Sequence, residues 1–130
     1  MKKKIRFKPI LITVIILTAY FVVGYYLLDK LLGGMCGNQI IHKVNSPNGK
    51  KTAYILLRDC GATTGYSYNL TLFNSDENLP NKSGNTFVSD KSFNVKWIND
   101  KKLQVDYQNS SKTYEMDKSV NWTKIEYVGE

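Results

Sequence analysis

Metal ligands and catalytic pairs are scarce in this sequence. Its 130 residues contain one histidine, His42, and two cysteines, Cys36 and Cys60, which are not in a Cys-x-x-Cys spacing. A structural zinc site needs four ligands, most often cysteine or histidine, and these residues do not supply them. No paired-carboxylate, glycine-rich nucleotide or metal motif is present either. We therefore expect no metal, no cofactor and no enzymatic activity.

Acidic residues are almost missing from the first thirty positions. Residues 1–30 contain six basic residues and one acid, Asp29, whereas residues 31–130 contain 12 basic and 10 acidic residues. The net charge of +7 thus divides into +5 for the first segment and +2 for the second. A nucleic-acid-binding domain carries its basic residues clustered on the domain itself, so we expect no nucleic-acid partner. A short basic tail is better explained by the anionic head groups of a membrane.

Charge is absent altogether from Pro9 to Leu28. The apolar run Ile10–Leu28 would span roughly 28 Å as a helix, close to the thickness of a hydrocarbon core. The excess of positive charge before the run places the N-terminus in the cytoplasm. We predict a single-pass protein of the cell membrane, with its C-terminal domain extracellular. Its predicted parts are a cytoplasmic basic tail (1–9), a transmembrane helix (10–28), a juxtamembrane linker (29–37) and an extracellular β domain (38–130).

Two other interpretations of the apolar run are less consistent with its length and flanks. A cleaved signal peptide has an apolar region of about 7–15 residues followed by an Ala-x-Ala-like site, and no such site follows here. A lipoprotein signal would use Gly33-Gly34-Met35-Cys36, but Met35 is bulky where a small residue is expected. Asp29 and Lys30 also separate the run from that cysteine. The uncleaved anchor is the preferred interpretation.

Both cysteines lie on the predicted outer side of the membrane. An even pair in an oxidising compartment favours a disulfide between Cys36 and Cys60. In the chain-entropy model, closing a loop of roughly 25 residues stabilises the fold by about 3.5 kcal/mol. Two free buried thiols, or one reactive thiol, are the alternatives.

Short alternating segments separated by turn residues make up the rest of the chain. In Tyr66–Phe73, for example, Tyr66, Tyr68, Leu70 and Leu72 fall on one face. No segment beyond the apolar run shows helical periodicity. About seven strands indicate a mainly β fold, with the N-terminal transmembrane helix followed by a small antiparallel β domain (sandwich, roll or meander). The candidate strands are Asn38–Asn45, Lys51–Arg58, Tyr66–Phe73, Asn85–Ser89, Phe93–Ile98, Leu103–Tyr107, Thr113–Met116 and Thr123–Val128.

Turn chemistry and aromatic residues add detail to this prediction. Ser46-Pro47-Asn48-Gly49-Lys50 is a strong turn signal, because proline fixes φ and Asn-Gly tolerates positive φ. Asn99–Lys102 would connect a hairpin, and Asn74–Gly84 would be the longest loop. In this hairpin, one face of the first strand carries Phe93, Val95 and Trp97, and its partner strand carries Leu103, Val105 and Tyr107. The aromatic core candidates are Trp97, Trp122, Tyr54, Phe73, Phe87 and Phe93.

Several segments resemble known patterns. The turn Ser46–Lys50 with its following strand, and the segment Val95–Leu103, resemble the rhythm of a β-propeller blade, which implies a meander. A closer resemblance is to an uncharacterised family of small membrane-anchored proteins from Gram-positive bacteria, a domain of unknown function. It is carried by Met35-Cys36-Gly37-Asn38, Ser46–Lys50, Arg58-Asp59-Cys60-Gly61-Ala62-Thr63-Thr64-Gly65, Gly84-Asn85-Thr86-Phe87 and Val95-Lys96-Trp97-Ile98. The resemblance implies a fold and a location, and no activity.

The loop from Arg58 to Gly65 is the best candidate for a binding site. Glycines allow sharp turns, successive N–H groups can form an anion-binding nest, and arginine and threonine add donors. The predicted binding residues are Arg58, Asp59, Gly61, Thr63, Thr64 and Gly65. The alternative is a disulfide-pinned hairpin loop in which threonine hydroxyls only cap backbone groups.

Three functional hypotheses follow. The preferred one is a binding or interaction module at the bacterial cell surface, whose partner is an envelope protein or a cell-wall ligand. The second is a thiol- or hydroxyl-dependent enzyme, in which His42 acts as a general base for Cys60, Ser46 or Thr63. The third is a structural or assembly factor for an envelope complex. The oligomeric state is open.

Overall fold

A computed structural model describes residues 7–33, 36–61 and 65–130 of the chain. The chain divides into two compact units, residues 1–35 and residues 36–130. The first contains an apolar helix and the second a mostly antiparallel β domain, so the predicted fold class is confirmed.

The helix α1 runs from Phe7 to Gly33. All its side chains from Phe7 to Leu31 are exposed, and this segment has a mean hydropathy of 2.3. By length and composition it could span a membrane, and an N-terminal signal sequence would have the same properties. The helix extends beyond the predicted span Ile10–Leu28 at both ends. Because a helix can continue past the bilayer, the predicted membrane boundaries stay predictions.

Two threonines show how the helix accommodates polar side chains. The Thr13 hydroxyl donates to the Pro9 carbonyl at 2.8 Å, and the Thr18 hydroxyl reaches the Val14 and Ile15 carbonyls at 3.1 and 2.9 Å. Hydroxyls bonded to the preceding turn need no other partner, which suits an apolar environment.

In residues 36–61 and 65–130, nine strands form two sheets. Sheet A has the order β1-β2-β3-β4-β7, and sheet B has the order β5-β6-β9-β8. Neighbouring strands pair antiparallel, except that β6 and β9 run parallel. The strands are β1 (Gly37–Asn45), β2 (Lys51–Asp59), β3 (Tyr66–Asn74), β4 (Phe87–Ser89), β5 (Asn94–Asn99), β6 (Lys102–Tyr107), β7 (Thr113–Met116), β8 (Ser119–Val120) and β9 (Thr123–Gly129).

The hydrophobic core lies between the two sheets. Alternate residues of β2 and β3 face it, as the period of two along a strand requires. Leu103 and Val105 of β6 are fully buried, and Val95, Trp97 and Tyr107 pack against the core, so the predicted hairpin face is confirmed. The buried core residues are Ala53, Ile55, Leu70, Leu72, Phe87, Phe93, Leu103, Val105 and Ile125.

Both predicted turns are present. In the first, the Gly49 N–H donates to the Ser46 carbonyl at 2.8 Å, and Gly49 has a φ of 71°. The Asn48 side chain accepts from the Lys50 N–H at 3.0 Å, which closes the turn locally. In the β5–β6 hairpin, the Asn99 side chain accepts from the Lys101 N–H at 2.9 Å.

The long loop of residues 75–86 crosses the outer face of sheet A, the face turned away from sheet B. Asn69 of β3 is fully buried on this face, and its side-chain oxygen accepts hydrogen bonds from the Gly84 N–H and the Ser83 hydroxyl. A Cβ at Gly84 would lie 2.7 Å from the Leu70 carbonyl oxygen, so only glycine fits this approach. Directly before these residues, Lys82 lies beside Asn38 of β1, and the Asn38 amide donates to the Lys82 carbonyl at 2.8 Å. The loop therefore spans the sheet from β3 to β1.

Three of the aromatic core predictions need correction: Trp122, Tyr54 and Phe73. Trp122 is 94% exposed and belongs to the β8–β9 turn, not the core. Tyr54 and Phe73 are half-buried, and their register with Thr71 and Thr52 places them on the outer face of sheet A.

The β8–β9 turn has an unfavourable backbone for its residues. Asn121 and Trp122 have φ values of 48° and 59°, the left-handed region in which asparagine is tolerated but a bulky side chain is strained. Two positive φ values define the type I′ hairpin turn, for which Asn-Gly is the preferred pair. The Asn121 amide fixes the turn by donating to the Leu72 carbonyl at 3.0 Å.

Replacing Trp122 with glycine should therefore stabilise the β domain. The exposed indole contributes little packing, and glycine removes strain of about 1 kcal/mol. Urea unfolding should show a free energy of unfolding raised by about that amount for Trp122→Gly. The control Trp122→Ala keeps the strain and should stay closer to the wild type. If alanine stabilised as much as glycine, the indole and not the backbone would be the cause.

Candidate functional site

Cys36 and Cys60 are joined by a disulfide, with their Cα atoms 3.9 Å apart. The register explains the proximity. Gly37 pairs with Asp59, and Cys36 directly precedes Gly37 while Cys60 directly follows Asp59, so both cysteines lie at the same end of the β1–β2 ladder. The bond therefore closes the end of sheet A at which the chain enters the β domain.

Arg58 of β2 lies beside this disulfide and is held by two neutral amides. Its Nη1 donates to the Asn38 side-chain oxygen at 2.8 Å and to the Asn81 side-chain oxygen at 3.3 Å. The Asn81 amide nitrogen donates to the Cys36 carbonyl, and that of Asn38 donates to Lys82. Because each amide nitrogen is already engaged with a carbonyl, each amide oxygen must face the guanidinium.

A cleft of about 390 Å³ opens next to this arginine, and we call it the Arg58 cleft. Its lining includes the polar residues Arg58, Ser67, Tyr66 and Tyr114, and Val88 adds an apolar wall. Tyr66 and Tyr114 are 65% and 61% exposed, so their rings are accessible to a ligand. The remaining lining residues are Cys60 and Gly65.

The electrostatics of the cleft favour an anion. Within the described ranges, no carboxylate lies within ion-pair distance of Arg58. The salt bridge present in these ranges joins Lys102 to Glu126, on sheet B. Outside the lining, the Nζ of Lys112 lies 5.9 Å from the centre of the Tyr114 ring, which places a second positive charge beside this residue of the cleft. A guanidinium offers five N–H donors and binds a carboxylate or phosphate through two parallel bonds. Neutral partners leave its charge uncompensated and available to such a group.

One acidic side chain follows Tyr114 on β7. Partial burial raises the pKa of Glu115 above its ordinary value, and the neighbouring Asp117 raises it further. Glu115 is therefore more easily protonated than a free carboxylate, which reduces its repulsion of an anion in mildly acidic solution.

The predicted binding residues are brought together only in part. Arg58 and Gly65 line the cleft. Asp59 points to the other face of β2, and its carboxylate accepts from the Gly61 N–H at 2.9 Å. Gly61 has a φ of 100°, in the left-handed region that favours glycine. Thr63 and Thr64, and with them the predicted nest, lie outside the described residues.

His42 and Cys60 are not brought together. His42 is exposed on β1 and pairs with Ile55, which precedes Cys60 by five residues along β2. At about 3.3 Å per residue the two are separated by roughly 16 Å, too far for a base to act on a thiol directly. The sulfur of Cys60 is also bonded to Cys36. Within the described part of the chain, no group of three histidine, cysteine or acidic side chains could hold a metal ion.

Sequence reasoning missed the residues that complete this site. Asn38, Asn81, Ser67 and Tyr114 come from four separate segments, and no local motif connects them. The only signal was indirect: Asn38 lies in a motif adjoining Cys36, and the predicted disulfide places that motif near Arg58. The contribution of Asn81 depends on the path of the long loop.

The sequence model of one protein family, described as "Family of unknown function (DUF5412)", matches residues 3–121. The chain belongs to this family. The DUF5412 match includes α1 and most of the β domain, so the family model describes the helix and the β domain together. No curated protein and no solved structure gives a significant match to the chain.

Loss of the disulfide should destabilise the β domain. The Cys36→Ser/Cys60→Ser variant loses the cross-link of the denatured chain, which is worth about 3.5 kcal/mol for a loop of this size. Urea unfolding should show this loss, and non-reducing mass spectrometry of the wild type should show the two cysteine peptides linked. Free thiols in the protein recovered from its native membrane would contradict the disulfide and restore the thiol hypotheses.

Proposed function

We propose that this DUF5412 protein is a binding module tethered at the bacterial cell surface. In this proposal α1 is an uncleaved membrane anchor, the basic tail is cytoplasmic, and the β domain is extracytoplasmic. The apolar helix, its exposed side chains and the basic residues before it support the anchor and its orientation. The disulfide supports an oxidising compartment for the β domain.

The observation that carries the binding function is the uncompensated guanidinium of Arg58. Its two amide partners fix its position before any ligand arrives, so little side-chain entropy is lost on binding. The Arg58 cleft then offers hydroxyls and exposed aromatic rings around the charge. We infer that it binds an acidic group, a carboxylate or a phosphate, of an envelope protein or a cell-wall ligand. The distance between His42 and Cys60 supports a binding role over the thiol enzyme.

The location can be tested by protease protection. In intact cells stripped of their wall, an added protease should digest the β domain and leave α1 with the basic tail protected in the membrane. An epitope tag placed before Met1 should become accessible only after the membrane is permeabilised. Recovery of a soluble β domain lacking residues 1–33 from untreated cells would instead show that the helix is a cleaved signal.

The acidic-ligand site can be tested by substituting its arginine. We expect the full chain in detergent micelles to bind isolated cell-wall fragments, and Arg58→Gln to weaken this binding at least tenfold. A lost charge-assisted hydrogen bond costs about 1.5–3 kcal/mol, which corresponds to that factor or more. Calorimetric titration measures the affinity. Competition with succinate or inorganic phosphate distinguishes a carboxylate from a phosphate ligand.

Lys124→Gln is the matched control, because it removes one positive charge from an exposed position on sheet B. It should leave the affinity within about twofold, since an exposed charge away from the ligand contributes only through screened electrostatics. Arg58→Lys should give an intermediate affinity, because lysine keeps the charge and loses the bidentate geometry. Equal losses for Arg58→Gln and Lys124→Gln would show that only net charge matters and would refute the site.

A further inference from the structure

Two aromatic side chains line the Arg58 cleft beside its charge. Tyr66 comes from β3 and Tyr114 from β7, and both are largely exposed, at 65% and 61%. Strand β4 lies between these two strands in sheet A, and its Val88 adds the apolar wall of the cleft. A guanidinium is sufficient to hold a carboxylate or a phosphate. The two exposed rings therefore indicate a ligand that carries more than an acidic group.

The position of Tyr114 depends on an irregularity in the pairing of β4 with β7. Val88 pairs with Glu115 and Ser89 with Thr113, which leaves Tyr114 between them as an extra residue of β7. A bulge of this kind turns a side chain out of the regular alternation of its strand, and bulges are over-represented next to active sites. One regular pair of the ladder is thereby lost, and the Tyr114 ring is displayed at the cleft.

Neighbouring groups hold this ring in place. The Lys112 Nζ lies over it at 5.9 Å from its centre, a distance at which a cation is attracted to an aromatic face. The main chain of Lys112 is fixed in turn, because its N–H donates to the Asp90 carboxylate at 2.8 Å and its carbonyl accepts from the Asp90 N–H at 3.1 Å. A ring that is ordered before binding loses little side-chain entropy when a ligand packs against its other face.

The chemistry of the lining suits a sugar. A pyranose carries C–H groups on its faces and hydroxyls around its edge, so it packs flat on an aromatic ring and hydrogen-bonds at its rim. Tyrosine offers a flat apolar ring together with a hydroxyl, and Ser67 adds another polar residue to the lining. The cleft volume of about 390 Å³ also falls in the range of small-molecule sites, about 300–1,000 Å³. Among the described residues of the lining only Val88 is aliphatic, so an aliphatic peptide side chain is a poorer occupant.

We propose that the Arg58 cleft binds an acidic sugar of a glycan. The guanidinium pairs with the carboxylate or phosphate of the sugar, while the rings of Tyr114 and Tyr66 pack against its C–H faces. This assignment rests on the proposed function and names the ligand class of the same site. It selects the cell-wall ligand over the envelope protein.

The test compares acidic sugars with open-chain acids that keep the hydroxyls and the acidic group but lack the ring. Glucuronate is matched by gluconate, and glucose 6-phosphate by sorbitol 6-phosphate, so the two pairs also separate a carboxylate ligand from a phosphate ligand. The full chain is held in micelles of a detergent without sugar head groups, and calorimetric titration measures the affinities. We expect the cyclic member of one pair to bind at least about fivefold more tightly than its open-chain match, as aromatic packing predicts.

Three ring variants assign this preference to the tyrosines. Tyr114→Leu and Tyr66→Leu should each reduce it, and together they should bring it below about twofold, because leucine has no flat face. Tyr114→Phe keeps the ring and should keep the preference. Trp122→Ala is the matched control: it removes an exposed ring at the end of the β domain where Asn121 bonds Leu72, away from Tyr66, and should change nothing. Thermal unfolding checks that the variants stay folded, as the exposure of the replaced side chains leads us to expect.

The outcomes separate this assignment from the proposed function. Equal affinities for cyclic and open-chain acids, both weakened by Arg58→Gln, would overturn the sugar and keep the arginine site. Tighter binding of an acetylated alanine tripeptide with a free C-terminal carboxylate would do the same and would favour an envelope protein. A ring preference that survives the double leucine variant would refute the aromatic contacts. Binding that Arg58→Gln leaves unchanged, or no binding of any of these compounds, would refute the arginine site and the sugar with it.

Discussion

The buried amide of Asn69 is the interaction on which the outer half of the β domain depends. It is fully enclosed on sheet A, and an enclosed amide must be hydrogen-bonded or it destabilises the fold. Its nitrogen donates to the carbonyl and hydroxyl of Ser67 on the same strand, whereas its oxygen accepts from Gly84 and Ser83. The oxygen is therefore satisfied when the loop of residues 75–86 lies across the sheet. Asn85 reinforces this path by bonding both the N–H and the carbonyl of Leu72, as a paired strand would.

The Arg58 cleft is a consequence of the same loop. Once the loop crosses sheet A, Asn81 reaches Cys36 and Arg58, and the guanidinium is fixed between neutral amides. The disulfide holds the strand ends beneath it. Loop, disulfide and arginine therefore form one connected arrangement at the end of the domain where the chain enters. Asn38 and Asn81 build this arrangement. Their side chains are short, and each carries a carbonyl and an N–H donor, so they can hydrogen-bond main-chain groups that have no main-chain partner.

Much of the fold could be predicted from local pattern. The hairpin face that carries Val95 and Val105, the turn at Gly49 and the apolar helix all follow from periodicity or turn chemistry, which depend on near neighbours. Trp122 was predicted wrongly, because hydrophobicity indicates burial on average while its position in a two-residue turn leaves it outside any sheet face. The parallel pairing of β6 with β9 was also beyond local pattern, since strand order depends on contacts between distant segments.

The sequence by itself determined the division into an apolar helix and a β domain and the positions of most strands, and it favoured a disulfide between the two cysteines. These depend on side-chain period, on charge and on the number of possible partners. Only the tertiary structure decided which side chains surround Arg58 and that His42 lies far from Cys60. Those relations join residues tens of positions apart, and they follow from the path of the chain and not from composition or spacing.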